Sequence, residues 1–308
     1  MVEIQWYHWV GFLCCVLFFL ALDLGVFHRH AKVVSVKEAV GWTTLWVCMS
    51  MAFAAVIWHW RGAVEGQEFL AGYIIEWSLS MDNVFVIAMI FSYFRIPRMY
   101  QHEVLFWGIM GALVMRGVMI CAGASLVARF DWLLLVFGVF LLYTGVKMAV
   151  AKEDDDVDPA KNPVLRWFKK IYPVTDELYG EKFVVRIDGK RWFTPLVLVL
   201  IVVETTDVVF ALDSIPAVFG ITQKKFIIFT SNVFAILGLR SMYFALAGAV
   251  EYFRYLKFGL SVVLVFIGVK MLIAQWVHIS TGLSLGIVGG ILAVAVIASV
   301  VGKSRGKN

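Results

Sequence analysis

The sequence predicts an all-α polytopic membrane protein of about nine transmembrane helices, containing two inverted three-helix repeats. Three observations lead there. Of 308 residues, 61% are hydrophobic and 16% charged, with a mean hydropathy of +0.85, whereas a soluble chain carries about a quarter charged residues. The apolar residues fall into runs long enough to cross a bilayer, which takes roughly 20 residues each. A pattern of acids and bases inside those runs occurs twice.

Apolar runs, punctuated by turns and charge, place helices at 6–27, 40–60, 69–94, 102–124, 131–150, 194–218, 226–248, 256–274 and 281–301. The first is expected to stay as a membrane helix rather than a cleaved leader: Glu3 precedes it without Lys or Arg, and no small-x-small site follows. Five alternate connections carry 19 Lys and Arg, nine of them in 151–193, and the connections on the other side carry four. Basic residues concentrate on the cytoplasmic side, so the N-terminus is expected outside and the 151–193 loop and C-terminus inside a bacterial inner membrane. The basic excess, a net charge of +5, is thus a matter of topology, and no nucleic-acid partner is expected. The partners are the lipid bilayer and a small ion. Cys14, Cys15, Cys48 and Cys121 lack CxxC or CxxxC spacing and are expected to be buried thiols serving as small apolar side chains.

The four remaining bases, Arg116, Lys147, Arg240 and Lys270, reveal the duplication. One half reads Glu76, Asp82 in DNVF, Arg116 in GALVMRG and Lys147 in TGVKMAVA; the other reads Glu204, Asp207 in DVVF, Arg240 in AILGLRS and Lys270 in IGVKMLIA. The Asp-to-Arg spacings are 34 and 33 and the Arg-to-Lys spacings 31 and 30. Each unit has three helices, an odd number, so the second enters the membrane from the opposite side. Inverted repeats with a midplane site characterise secondary transporters. The organisation is two peripheral helices (1–68), a first repeat (69–150), a cytoplasmic loop (151–193), a second repeat (194–274), and a final helix with a basic tail (275–308).

Six acids fall inside predicted spans: Asp23, Glu76, Asp82, Glu204, Asp207 and Asp213. Unpaired, they would cost on the order of 10 to 20 kcal/mol. Protons, the membrane bases or a bound cation must neutralise them, and pairing with all four bases still leaves two. The bland alternative is a salt-bridge network with Arg116 and Arg240 that fixes packing; the charge imbalance and its repetition favour a site. Arg116 and Arg240 themselves read better as counter-ions than as ligands, and Lys147 and Lys270 as snorkelling residues. Glu204 and Asp207 share a helix face, whereas Asp213 points about 120° away on a straight helix. Pro216 is expected to kink or unwind the stretch around Asp213 and Ser214 and turn Asp213 inward. Asn83 beside Asp82, with Ser231 and Asn232 in the second half, adds neutral oxygens. An all-oxygen set suits hard divalent ions, Mn²⁺, Mg²⁺ or Ca²⁺, better than zinc or copper, and no histidine lies at the core of a span. Asp23, outside the repeat, reads as interfacial, and the acidic run 153–158 as a solvated face or, less simply, a metal sensor.

The segments EWSLSMDNVFV, ETTDVVFALDSIPAVF and TSNVFAILGLRSMYF resemble the membrane core of the TerC family, and the likeness runs from ALDLG in the first helix through the ninth. The resemblance implies an inner-membrane manganese exporter without a permanently bound cofactor, Mn²⁺ being its substrate. The family's acidic positions fall on Glu76, Asp82, Glu204, Asp207 and Asp213. The residues leave two other functions open: an intramembrane aspartyl protease, whose YD and GxGD patterns are missing, and a sensor or scaffold in tellurite-type stress resistance, which would depend on the loop more than on the acids.

Overall fold

A computed structural model describes residues 4–27, 35–150, 162–246, 256–277 and 279–305. Its helices are α1 (Trp6–Phe27), α2 (Val36–Arg61), α3 (Ala63–Tyr93), α4 (Arg98–Arg129), α5 (Leu133–Val150), α6 (Pro163–Ile171), α7 (Pro195–Phe219), α8 (Lys225–Leu237), α9 (Leu239–Leu246), α10 (Leu256–Ile273) and α11 (Thr281–Arg305), with a hairpin of β1 (Val184–Ile187) and β2 (Lys190–Phe193) before α7. Eight segments, α8 and α9 counting as one, are long and apolar enough to span a bilayer, and α1 adds a shorter apolar stretch, Trp6–Ala21.

α3 is the axis of the bundle: α2, α7, α8, α9 and α11 all pack against it, α4 packs on α7 and α8, and α5 on α10. The segment formed by α8 and α9 is the most enclosed. α1 lies outside it, joined through Phe12, which meets Phe226, Phe229 and Phe234 with ring centroids 5.9–6.0 Å apart. The α5–α10 contact is the tightest. A Cβ added at Gly268 would stand 2.8 Å from the carbonyl oxygen of Gly138, and one at Gly145 2.9 Å from that of Ser261. The backbones therefore approach as closely as only glycine permits.

Four local features differ from expectation. α3 and α4 begin at 63 and 98 rather than 69 and 102 and run to 31 and 32 residues, drawing Glu65 and Glu68, both buried, into the first turns of α3. The segment expected as one helix over 226–248 is interrupted at Gly238. α7 remains helical through Asp213 and Pro216 to Phe219, so Pro216 does not unwind it. The four cysteines are exposed on the outer faces of α1, α2 and α4 rather than buried.

The described part of the loop before α7, residues 162–194, has structure of its own. Asn162 caps α6, its Oδ1 accepting from the amides of Val164 and Leu165 at 3.0 and 3.1 Å. Asp188 and Gly189, both at positive φ, make the two-residue turn of the hairpin, which pairs Ile187 with Lys190. Asn162 Nδ2 also donates to Thr205 Oγ1 of α7 at 2.7 Å. The acidic run 153–158 lies outside the described residues, as does the side chain of Asp23.

Candidate functional site

Arg116, 1% exposed at the middle of α4, holds the centre of the bundle. Its Nε and Nη2 donate to the two carboxylate oxygens of Asp207 on α7 at 3.1 and 2.7 Å, while Nη1 donates to Glu76 Oε1 on α3 and lies 3.4 Å from Ser214 Oγ. A planar fork on one carboxylate plus a third donor on another is the arrangement a guanidinium is built for. Arg116 is thus ion-paired with both carboxylates. The cluster still carries two carboxylates against one base.

Beside this cluster lies a small cavity of about 40 Å³, walled by Glu76, Leu79, Asp82, Asn83, Arg116, Met148, Phe210, Asp213 and Ser214. That is room for one or two water-sized groups. Its walls come from α3, α4, α5 and α7, so both six-residue acid pairs, Glu76 with Asp82 and Asp207 with Asp213, reach the same centre. The structure groups the acids by this spacing: Glu76 and Asp207 share Arg116, and Asp82 and Asp213 line the cavity. A second void, of about 30 Å³, is bordered by Asp207 and Thr206 among apolar side chains and shares Asn83 and Phe210 with the first.

Several buried oxygens here have no hydrogen-bond partner: Glu76 Oε2, Ser80 Oγ and Asn83 Oδ1, with Asn232 Oδ1 on α8. Positions 76, 80 and 83 are spaced i, i+4, i+7 and form one stripe of α3. Buried polar atoms are nearly always satisfied, so three open acceptors on one helix face fit a hard, oxygen-seeking cation. Among the described residues no three His, Cys, Asp or Glu side chains already form a cage for a metal ion. The guanidinium stands between two of the acids instead.

The other expected site residues do not line this cavity. Glu204 presses its carboxylate against Gly111 of α4, where any Cβ would collide with it. Ser231, fully buried, donates to the carbonyl of Ile228 at 3.1 Å. Asn232 and Arg240 are buried on α8 and α9, and Pro216 is buried one turn beyond the cavity. Sequence reasoning missed a further charged cluster where α2 meets α3. There Arg61 pairs with Glu65, Lys224 Nζ lies 3.4 Å from Glu65 and 3.0 Å from Glu68, and Thr222 Oγ1 donates to Glu68 at 3.0 Å. At the opposite end Tyr243 donates to Gln101 at 2.9 Å, and His102 lies 3.9 Å from Glu181.

Long apolar helices arranged about a buried, charge-bearing centre define a polytopic α-helical membrane protein with a polar interior. Residues 61–307 match the family described as integral membrane protein TerC, and the chain belongs to that family. It is 50% identical over 297 residues to an uncharacterized membrane protein, STKORF319, of Myxococcus xanthus, covering 96% of this chain and 92% of that one. It is 49% identical over 298 residues to Alx of Salmonella typhi, provisionally described as a membrane-bound redox modulator, covering 94% and 92%. An uncharacterized membrane protein of Rickettsia felis is 40% identical over 96% of this chain and 98% of its own. No solved structure matches the chain.

Proposed function

We propose that this protein carries a divalent metal cation, with Mn²⁺ as the substrate and export from the cytoplasm as the direction, by alternating access about the cavity between α3, α4, α5 and α7. The observation that carries the reading is the unpartnered oxygens Glu76 Oε2 and Asn83 Oδ1 of α3, with Ser80 Oγ on the same helix face, at a cavity that Asp82 of α3 and Asp213 of α7 also line. Carboxylate, amide and hydroxyl oxygens are the donors that Mn²⁺, Mg²⁺ and Ca²⁺ prefer. Ionisable groups at the centre of a membrane bundle mark ion pathways.

The packing supports the inverted-repeat reading. With α3, α4 and α5 taken as one unit and α7, α8–α9 and α10 as the other, α3 packs on α8 as α7 packs on α4, and α5 meets its counterpart α10. α1, α2 and α11 lie outside the two units. The bias of Lys and Arg supports a hairpin end in the cytoplasm of a bacterial inner membrane and an α2–α3 end outside.

The test is Mn²⁺ flux in proteoliposomes holding the purified chain, with Asp82→Asn and Asp213→Asn alongside and Mg²⁺ and Ca²⁺ as competitors. Both variants leave Arg116 with its two carboxylates. The expected result is flux in the parent and loss in each folded variant. No flux under any gradient would overturn the reading and leave the acids as packing elements of a sensor or scaffold.

A further inference from the structure

The centre of the bundle already holds a cation, and it belongs to the protein. Arg116 places its fork on Asp207 from one half and its remaining nitrogen on Glu76 from the other. Glu76 is 0% exposed and uses only one oxygen in this contact; the second, Oε2, is open. Asn83 Oδ1, on the wall of the cavity that Glu76 and Arg116 also line, is open too.

We propose, resting on the transport reading above, that Arg116 is a tethered stand-in for the transported ion. It neutralises Glu76 while the site is empty and gives Glu76 up when a divalent cation loads. The geometry divides the guanidinium into a part that stays and a part that leaves. The two bonds to Asp207 anchor it. The single contact to Glu76 and the 3.4 Å approach to Ser214 are made by Nη1 alone, so a small rotation about the Asp207 fork frees Glu76. A divalent ion then gains Glu76, Asn83 and Asp82 on the α3 side, while Arg116 stays paired with Asp207 and leaves no buried guanidinium uncompensated.

Two consequences separate this exchange from a fixed packing lock. The ion competes with Arg116, so removing the guanidinium must strengthen ion binding. The empty protein depends on Arg116 to neutralise Glu76 during its return, so removing it must slow net transport while sparing exchange of Mn²⁺ for Mn²⁺, in which the site never empties.

The experiment measures Mn²⁺ binding to the purified chain in detergent, and net flux against Mn²⁺ exchange in proteoliposomes, for the parent, Arg116→Gln, Arg116→Lys and Glu76→Gln. A charge-assisted hydrogen bond contributes about 1.5 to 3 kcal/mol, so Arg116→Gln is expected to bind Mn²⁺ at least about tenfold more tightly. It should lose net flux and keep exchange. Glu76→Gln should lose binding. If Arg116→Gln fails to fold, Arg116→Lys carries the test: an ammonium lacks the planar fork, and its binding should tighten by a smaller factor. Parent binding with unchanged or weaker binding in the folded Arg116 variants overturns the stand-in and leaves the transport reading in place. A parent that binds no Mn²⁺ overturns both.

Discussion

Replacing Gly268 with alanine tests the α5–α10 seam, and the expected cost follows from the geometry. The added methyl would stand 2.8 Å from the carbonyl oxygen of Gly138 and 3.0 Å from the amide nitrogen and Cγ of Leu142, against an ordinary contact of 3.4 Å or more. Backbone atoms have no rotamer to escape into, so α5 must retreat by about half an ångström along the seam. Overfilling a packed interior costs about 1 to 3 kcal/mol. Alanine returns about 1 kcal/mol of helix propensity, so the net expectation is a loss of roughly 0 to 2 kcal/mol. Gly286→Ala on α11 is the control, since nothing lies within 4 Å of its added Cβ; there the propensity gain should stand alone. Reversible unfolding of the two variants in mixed micelles gives the comparison. A double variant, Gly138→Ala with Gly268→Ala, should cost less than the two singles together, because the first separation makes room for the second. Equal stability of Gly268→Ala and Gly286→Ala would refute the argument from close approach.

Three further outcomes are expected. Gly111→Ala drives a methyl into the Glu204 carboxylate; a flexible carboxylate can move, so stability should shift by less than about 1 kcal/mol while Mn²⁺ flux falls several-fold, and unchanged flux would remove Glu204 from the working site. Lys224→Met leaves Glu65 and Glu68 with Arg61 as the nearby base, and because Lys224 is 37% exposed the loss should be only about 1 to 2 kcal/mol, visible as a lower melting temperature in detergent. Asn162→Ala removes the cap of α6 and the bond to Thr205, costing about 1 kcal/mol, and hydrogen exchange over 163–171 should quicken; protection equal to the parent's would count against the cap.

What was legible in the sequence was whatever hydropathy and length control. Each bilayer crossing needs its own apolar run, so every spanning segment was found. The extended starts of α3 and α4 were not, because Glu65, Glu68 and Gln101 read as loop, and His102 as a helix end, until their partners are known. Burial of such groups depends on Lys224, Arg61, Tyr243 and Glu181, which are distant in sequence apart from Arg61. The hairpin carried a readable signal, Asp188-Gly189 between alternating strands, inside a segment treated as a loop. The repeated motifs aligned the acids of the two halves but did not say which side chains meet. Matching DNVF with DVVF paired Asp82 with Asp207, whereas in space Glu76 shares a partner with Asp207, and Asp82 shares a cavity with Asp213. A six-residue offset turns two side chains to different sides of one helix. Glu76 and Asp82 still border the same cavity because it is enclosed from four sides, and Asp213 reaches it from α7 with no unwinding at Pro216.

The charged cluster at the α2–α3 end has a consequence for how the two faces of the protein respond to their surroundings. There Lys224, partly in water, ties the turn between α7 and α8 to Glu65 and Glu68 of α3. At the other end Asn162 with Thr205 and Tyr243 with Gln101 make the corresponding ties as neutral hydrogen bonds, the second of them buried. Dissolved salt weakens attraction between charges over a Debye length of about 8 Å at physiological strength and leaves neutral hydrogen bonds nearly untouched. The α2–α3 end is thus fastened by a charged contact that loosens as the ionic strength around it rises, whereas the two neutral hydrogen bonds hold. The composition of the medium at the α2–α3 end therefore acts on the tie between Lys224 and its two glutamates.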